Sequence, residues 1–179
     1  MSEFLKDPII NAINEGIRKG IQVAIDNKCY SSAVILIYAG MDAMAYLNMP
    51  ATQEDVTRTD FINWSERYIK FPCKEQLNGK DLYGARCAML HNHSVFSKMS
   101  RNGECRNICY MDISIPEIRY DKAISESVVL VSIQALAEAF FNGINQFLID
   151  LFSDKEKSSI AEKRLDNLVI TSSTNSLGS

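Results

Sequence analysis

Residues 33–47 are apolar on nearly every side of the helix they would form. Ala33, Leu36, Ile37, Gly40, Met41 and Met44 fall along one stripe; Ile35, Tyr38 and Tyr46 lie on the other side, joined there by a single carboxylate, Asp42. A helix apolar almost all round must be buried from two directions. The chain therefore has to surround this segment with its own helices or with a partner subunit. With 179 residues, 46% of them apolar, it has enough material for one compact domain with a real core and too little for two large ones.

The flanking segments supply the covering helices. Asp7-Pro8 is a helix start, because the carboxylate accepts from free first-turn N–H groups and proline at the first position wastes no donor. Ile10, Ile13, Ile17, Ile21 and Ala24 follow at spacings of 3, 4, 4 and 3, one face of a helix. Ser31 or Ser32 can cap the apolar second helix. Thr59 and Asp60 open a third, carrying Phe61, Trp64 and Tyr68, which stops before Pro72. Asp81 caps a fourth over 82–91, and Gly84 within it predicts a close backbone approach. From 121 to 152 the positions Val129, Ile133, Leu136, Phe140, Ile144, Phe147 and Leu151 predict a long helix of roughly 45 Å. The charged stretch 154–164 predicts a separate helix.

Two segments depart from this pattern. Asn102-Gly103 is a hairpin signal, and Cys109, Met111, Ile113 and Ile115 alternate with polar residues at the period of a strand. The expectation is an all-α bundle, up-and-down, with a small β-hairpin insertion at about 94–115. Residues 1–165 form its single domain and 166–179, rich in Ser, Thr, Asn and Gly, a disordered tail.

Charge and cysteine content limit the function. The net charge of −3 gives no global attraction to nucleic acid or to an anionic membrane. Residues 58–106, however, hold nine Lys or Arg against five Asp or Glu, a local basic region. Asp42 interrupts the first long apolar stretch. Gln134, Glu138, Asn142, Asn145 and Gln146 interrupt the second, 128–149, so neither reads as a membrane span. The first residues lack the pattern of a secretory signal. A cytoplasmic protein with no membrane partner is expected, its five cysteines reduced and mostly buried.

Chemistry concentrates in residues 82–93. Arg86 sits inside an apolar helix, and both histidines of the chain, His91 and His93, follow it. A guanidinium there must snorkel, pair or bind an anion, and Asp42 is its candidate partner. Arginine presents a fixed fork of donors to a phosphate, and histidine moves protons near neutrality. Together they suffice for metal-independent RNA cleavage, in which a 2′-hydroxyl attacks the adjacent phosphorus. The residues alone equally allow an intramolecular ion pair with a histidine on the negative end of the helix dipole. A five-residue offset is about 140° around a helix, so the pair meets only if the last turn loosens or a second chain contributes.

At Arg86–x4–His91 the chain resembles the HEPN superfamily, all-α proteins marked by arginine, four to six residues and histidine near a helix end. The long apolar second helix, the aromatic third and the long C-terminal helix fit the same layout over 8–152. The resemblance implies a homodimer with two motifs facing across a cleft and, in many members, metal-independent endoribonuclease activity in toxin–antitoxin or phage-defence systems. Arg86 and His91 take the catalytic places, with Asp42, Asn92 and His93 in support. The expected partners are RNA or a nucleotide and a cognate antitoxin. Non-catalytic nucleotide- or protein-binding dimers share the layout. The family often places a polar residue after the arginine, where this chain has Cys87.

Zinc is the remaining alternative, with His91, His93, Cys105 and Cys109 as four ligands. The cysteine spacing is one residue longer than that of a knuckle, and Cys109 falls on the apolar side of its strand. No metal and no cofactor is expected. Glycine-rich phosphate loops and hydrolase elbows are absent from the sequence.

Overall fold

The computed structural model describes residues 7–165 and 167–168. The elements run α1 (Pro8–Asn11), a π-helical stretch (Ala12–Arg18), α2 (Lys19–Asp26), α3 (Tyr30–Asn48), α4 (Arg58–Tyr68), α5 (Gly79–Asn92) and α6 (Lys98–Arg101). They continue with β1 (Asn107–Met111), β2 (Ile118–Arg119), β3 (Val128–Ser132), α7 (Ile133–Ser153) and α8 (Lys155–Leu165). Asp7 caps α1, its Oδ1 accepting from the N–H groups of Ile9 and Ile10 at 2.9 and 3.2 Å. The π turns shift the helical phase, so the fully buried positions are Ile9, Ile13 and Ile21, with Ile10 and Ile17 only half-buried.

Helix α3 is the centre of the fold. It packs against α2, α4, α5, α7 and α8, so burial from two directions is supplied by its own chain. Ile37, Tyr38, Met41 and Met44 are wholly enclosed. Length and composition alone would allow α3 to cross a membrane, but half of its most apolar window is buried inside the protein. Where α7 crosses α3, a Cβ on Gly40 would sit 2.7 Å from the Phe140 ring, so only glycine permits this approach. Trp64 meets Phe140 and Phe147 edge-on at 6.2 and 6.0 Å. The aromatic residues at helical spacing are thus core.

The far end of α3 is closed by α8. The buried guanidinium of Arg164 donates to the carbonyls of Tyr46 (3.2 Å), Met49, Pro50 (2.6 Å) and Gln53 (3.1 Å). These include carbonyls that a helix end leaves without intrahelical partners.

The expectation of an all-α bundle with a hairpin insertion is overturned. The protein is mainly helical but contains a mixed three-stranded sheet, in the order β1-β3-β2. β1 runs parallel to β3, with Asn107 opposite Val128 and Met111 opposite Ser132, while β2 pairs antiparallel to β3. Asn102-Gly103 is no hairpin turn: Ser97 caps α6 through a reciprocal pair with Ser100, and Asn102 ends that helix. The residues before the turn are therefore helical and offer β1 no partner, so β1 pairs with a distant strand.

The expected helix over 121–152 is shortened for a related reason. Val129 and Val131 are buried while Leu130 is exposed, the two-residue period of a strand. Val129 also lies four residues before Ile133, which imitates a helical step. Ser132 divides the elements, its Oγ accepting from Ala135 N–H at 3.0 Å and from Glu117 N–H at 2.9 Å.

The cysteines are free, but Cys29 is exposed and the other four are half-buried, against the expectation of mostly buried thiols. The expected tail lies outside the described residues apart from Asn167 and Leu168.

Candidate functional site

Helix α5 is set by a capping box at its start. Asn78 Oδ1 accepts from Asp81 N–H at 2.9 Å, and Asp81 Oδ2 accepts from Asn78 N–H at 3.2 Å. Asp81 is itself buried, and it receives Arg106 through the backbone N–H (2.8 Å), Nε (3.1 Å) and Nη2 (2.7 Å). Arg106 also donates to Glu75 and to the Gln76 carbonyl, and lies 4.9 Å from the Tyr120 ring centre. β1 is thereby anchored to the start of α5. Gly84 completes the contact: a Cβ there would stand 2.3 Å from Cys105 Sγ, the close approach the sequence predicts.

At the other end of α5, three of the expected residues converge. Arg86 Nε donates to Asp42 Oδ2 at 2.8 Å, and Arg86 Nη1 lies 3.3 Å from His91 Nε2. An arginine can only donate, so in this contact His91 Nε2 is the acceptor. The side chains of Arg86 and Asp42 are 22% and 25% exposed, so the pair is neither sealed nor free. Burial pushes the Asp42 carboxyl up, and the hydrogen bond and charge of Arg86, with His91, pull it back only in part. Burial opposes the charge of Arg86, but the hydrogen bond and charge of Asp42 outweigh it and raise the group. The two directions describe one half-buried pair in which the cation is the secure member.

Tyr83 extends this surface. Its ring centre lies 6.0 Å from the Arg86 guanidinium and 5.7 Å from that of Arg58, and burial raises its phenol. Arg58 in turn contacts Glu104 at 3.3 Å.

The remaining expected residues take other places. His93 is exposed and adopts a left-handed conformation, φ 47° and ψ 40°, closing α5 with its N–H on the carbonyls of Ala88 and Met89. The last turn is loosened accordingly, with Ser94 N–H reaching back to the Ala88 carbonyl at 3.1 Å. Asn92 is the last helical residue, and its side chain falls outside the described residues. Cys105 packs on Gly84, and among the described residues no three His, Cys, Asp or Glu side chains gather as a metal cluster. Of the nine cations in 58–106, Arg58, Arg67, Arg86 and Arg106 are ion-paired, which reduces the basic field of the region. Hollows of about 480 Å³ beside Arg106 and about 380 Å³ between α3 and the π-helical stretch do not include Arg86 or His91.

Comparison with protein-family models, with curated proteins and with solved structures finds no match to the chain.

Proposed function

We propose that the protein is a HEPN-like, metal-independent endoribonuclease that works as a homodimer in a toxin–antitoxin or phage-defence system. The observation that carries this reading is the contact between Arg86 Nη1 and His91 Nε2, with the other side of the guanidinium held by Asp42. Asp42 fixes the fork, and a substrate phosphate takes the donor now shared with His91. The freed Nε2 accepts the proton of the 2′-hydroxyl as its oxygen bonds to phosphorus. The bond to the 5′-oxygen breaks, and that oxygen takes up a proton from an imidazolium. The products are a 2′,3′-cyclic phosphate and a 5′-hydroxyl, and Arg86 stabilises the charge gathering on the phosphoryl oxygens.

The least buried face of α3 supports the dimer. Leu36 and Ala39 are exposed on it, beside the 380 Å³ hollow, and Asp42 borders it. A second copy on this face covers apolar surface and builds a wall beside the Asp42–Arg86 pair. Cys87, where the family often has a polar residue, favours a second reading, a dimer that binds nucleotide or protein without cleaving.

The test is incubation of purified protein with single-stranded RNA in excess chelator, beside Arg86→Ala and His91→Ala. Cleavage should fall by about a hundredfold or more in each variant. Equal cleavage by all three refutes the proposal. RNA binding by the unaltered protein without cleavage selects the second reading.

A further inference from the structure

We infer that the loop following α5 is a base-stacking subsite for single-stranded RNA, with Phe96 as its platform. The inference rests on the proposed function and adds the element that would hold a nucleobase beside the reacting phosphate. Phe96 is 53% exposed and its neighbour Val95 37%, two large apolar side chains in water on one short loop. Such a loop has no packing reason to hold an aromatic ring outward. Yet the loop backbone that carries it is fixed: Phe96 N–H donates to Ser94 Oγ at 3.0 Å, and its carbonyl accepts from Arg101 Nη1 at 3.4 Å. On its other side, Ser97 is buried and fixed by the reciprocal cap with Ser100.

The loop is also in the right place. Ser97 Oγ lies 3.4 Å from the position a Cβ on Gly84 would occupy, so the chain folds back along α5. Gly84 and His91 are two helical turns apart on the same face, about 10 Å along the axis. Phe96, adjacent to Ser97, therefore lies beside α5 and only five residues along the chain from His91. Lys98 and Arg101 are both exposed on the following helix and add cationic charge for a backbone. The nearby acid, Glu104, is engaged by Arg58 and by Asn102.

Rings held open to solvent beside basic side chains suit single strands, because every base offers a face to stack on, whereas a paired duplex hides its bases. A protein partner would use Phe96 as an apolar anchor and would not require a ring.

The experiment uses the whole protein and a short 2′-O-methylated single strand carrying one 2-aminopurine, which cannot be cleaved by attack of its own 2′-oxygen. Binding should quench the fluorescent base. Phe96→Ala and Phe96→Leu should each weaken affinity about five- to a hundredfold and lose the quenching, while Phe96→Trp retains both. Because Phe96 is exposed, a thermal melt of each variant verifies that the fold is intact. Affinity unchanged in Phe96→Ala, or Phe96→Leu binding as well as the unaltered protein, overturns the subsite. If binding in that case still depends on Arg86, the proposed function survives it. Absence of any binding by the unaltered protein overturns both.

Discussion

Helix α5 carries two arginine–aspartate pairs, one at its start and one midway along it, and the two are built to different standards. At its start, the Arg106 side chain makes four hydrogen bonds, to Asp81, Glu75 and the Gln76 carbonyl, and Asp81 is 1% exposed. Midway along it, Arg86 meets one carboxylate and, from the last turn, one imidazole, with about a quarter of the Arg86–Asp42 surface in water. With most of its donors engaged inside the protein, the first pair fixes strand to helix. The second pair is oriented without being used up. The two arginine side chains are almost equally exposed, 20% and 22%; the depth of the carboxylate and the number of donors engaged separate scaffold from site.

Four substitutions would break or sharpen this contrast. Asp81→Ala removes the buried carboxylate that both caps α5 and holds Arg106 and should cost about 3–5 kcal/mol, lowering the melting temperature by roughly 10 °C in a thermal scan. Asp42→Ala should cost about 1 kcal/mol or less in the same scan while still impairing RNA cleavage. Equal destabilisation by the two would erase the distinction. Gly84→Ala drives a methyl into Cys105 Sγ and should cost about 1–3 kcal/mol in a urea titration. Adding Cys105→Ala should recover most of that loss; independent, additive effects would mean the contact is not the cause. His93→Gly relieves a left-handed β-carbon at the end of α5 and should stabilise the protein by less than about 1 kcal/mol.

Acid titration distinguishes carboxylates by sign. Asp42, pushed up by burial, binds its proton at higher pH in the folded state than in the unfolded chain. Its charged form therefore subtracts from stability, and that penalty grows as pH rises through the interval just above the ordinary aspartate range. Asp60 is the reverse case: burial pushes it up, but the hydrogen bonds from Thr57 and Gln53 outweigh burial and hold it down. Its contribution is present above the ordinary range and is lost as pH falls. Relative to the unaltered protein, Asp42→Asn should lose ground as pH falls through the interval just above the ordinary aspartate range, and Asp60→Asn should gain it as pH falls through and below that range, both measured by urea midpoints.

Much of the helical framework was legible because its signals are local. Asp7-Pro8 and the apolar stripe of α3 each act within a few residues of themselves; α4 reads as opening at Thr59 and Asp60, whereas Thr57 caps it with Asp60 as its reciprocal partner. The ion pair of Asp42 with Arg86 was also legible, since a lone carboxylate and a lone guanidinium in apolar helices have few other ways to be satisfied. The sheet was not. Parallel pairing of β1 with β3 depends on strands some twenty residues apart, and the step from Val129 to Ile133 fits a helix as well as a strand-to-helix junction. Arg106, Arg164 and Phe96 carried no periodic signal; a charged residue among mixed neighbours does not announce which distant carbonyl or carboxylate it will meet. For Phe96 a clue was available, a lone aromatic in a polar stretch between the histidines and Arg101.

The guanidinium that closes the carbonyl end of α3 comes from Arg164, more than a hundred residues later in the chain. During synthesis, the central helix must therefore wait with a frayed end until α8 has emerged. Its final turn is the part most exposed to a protease or chaperone acting on the nascent chain, although the helix itself is among the first made.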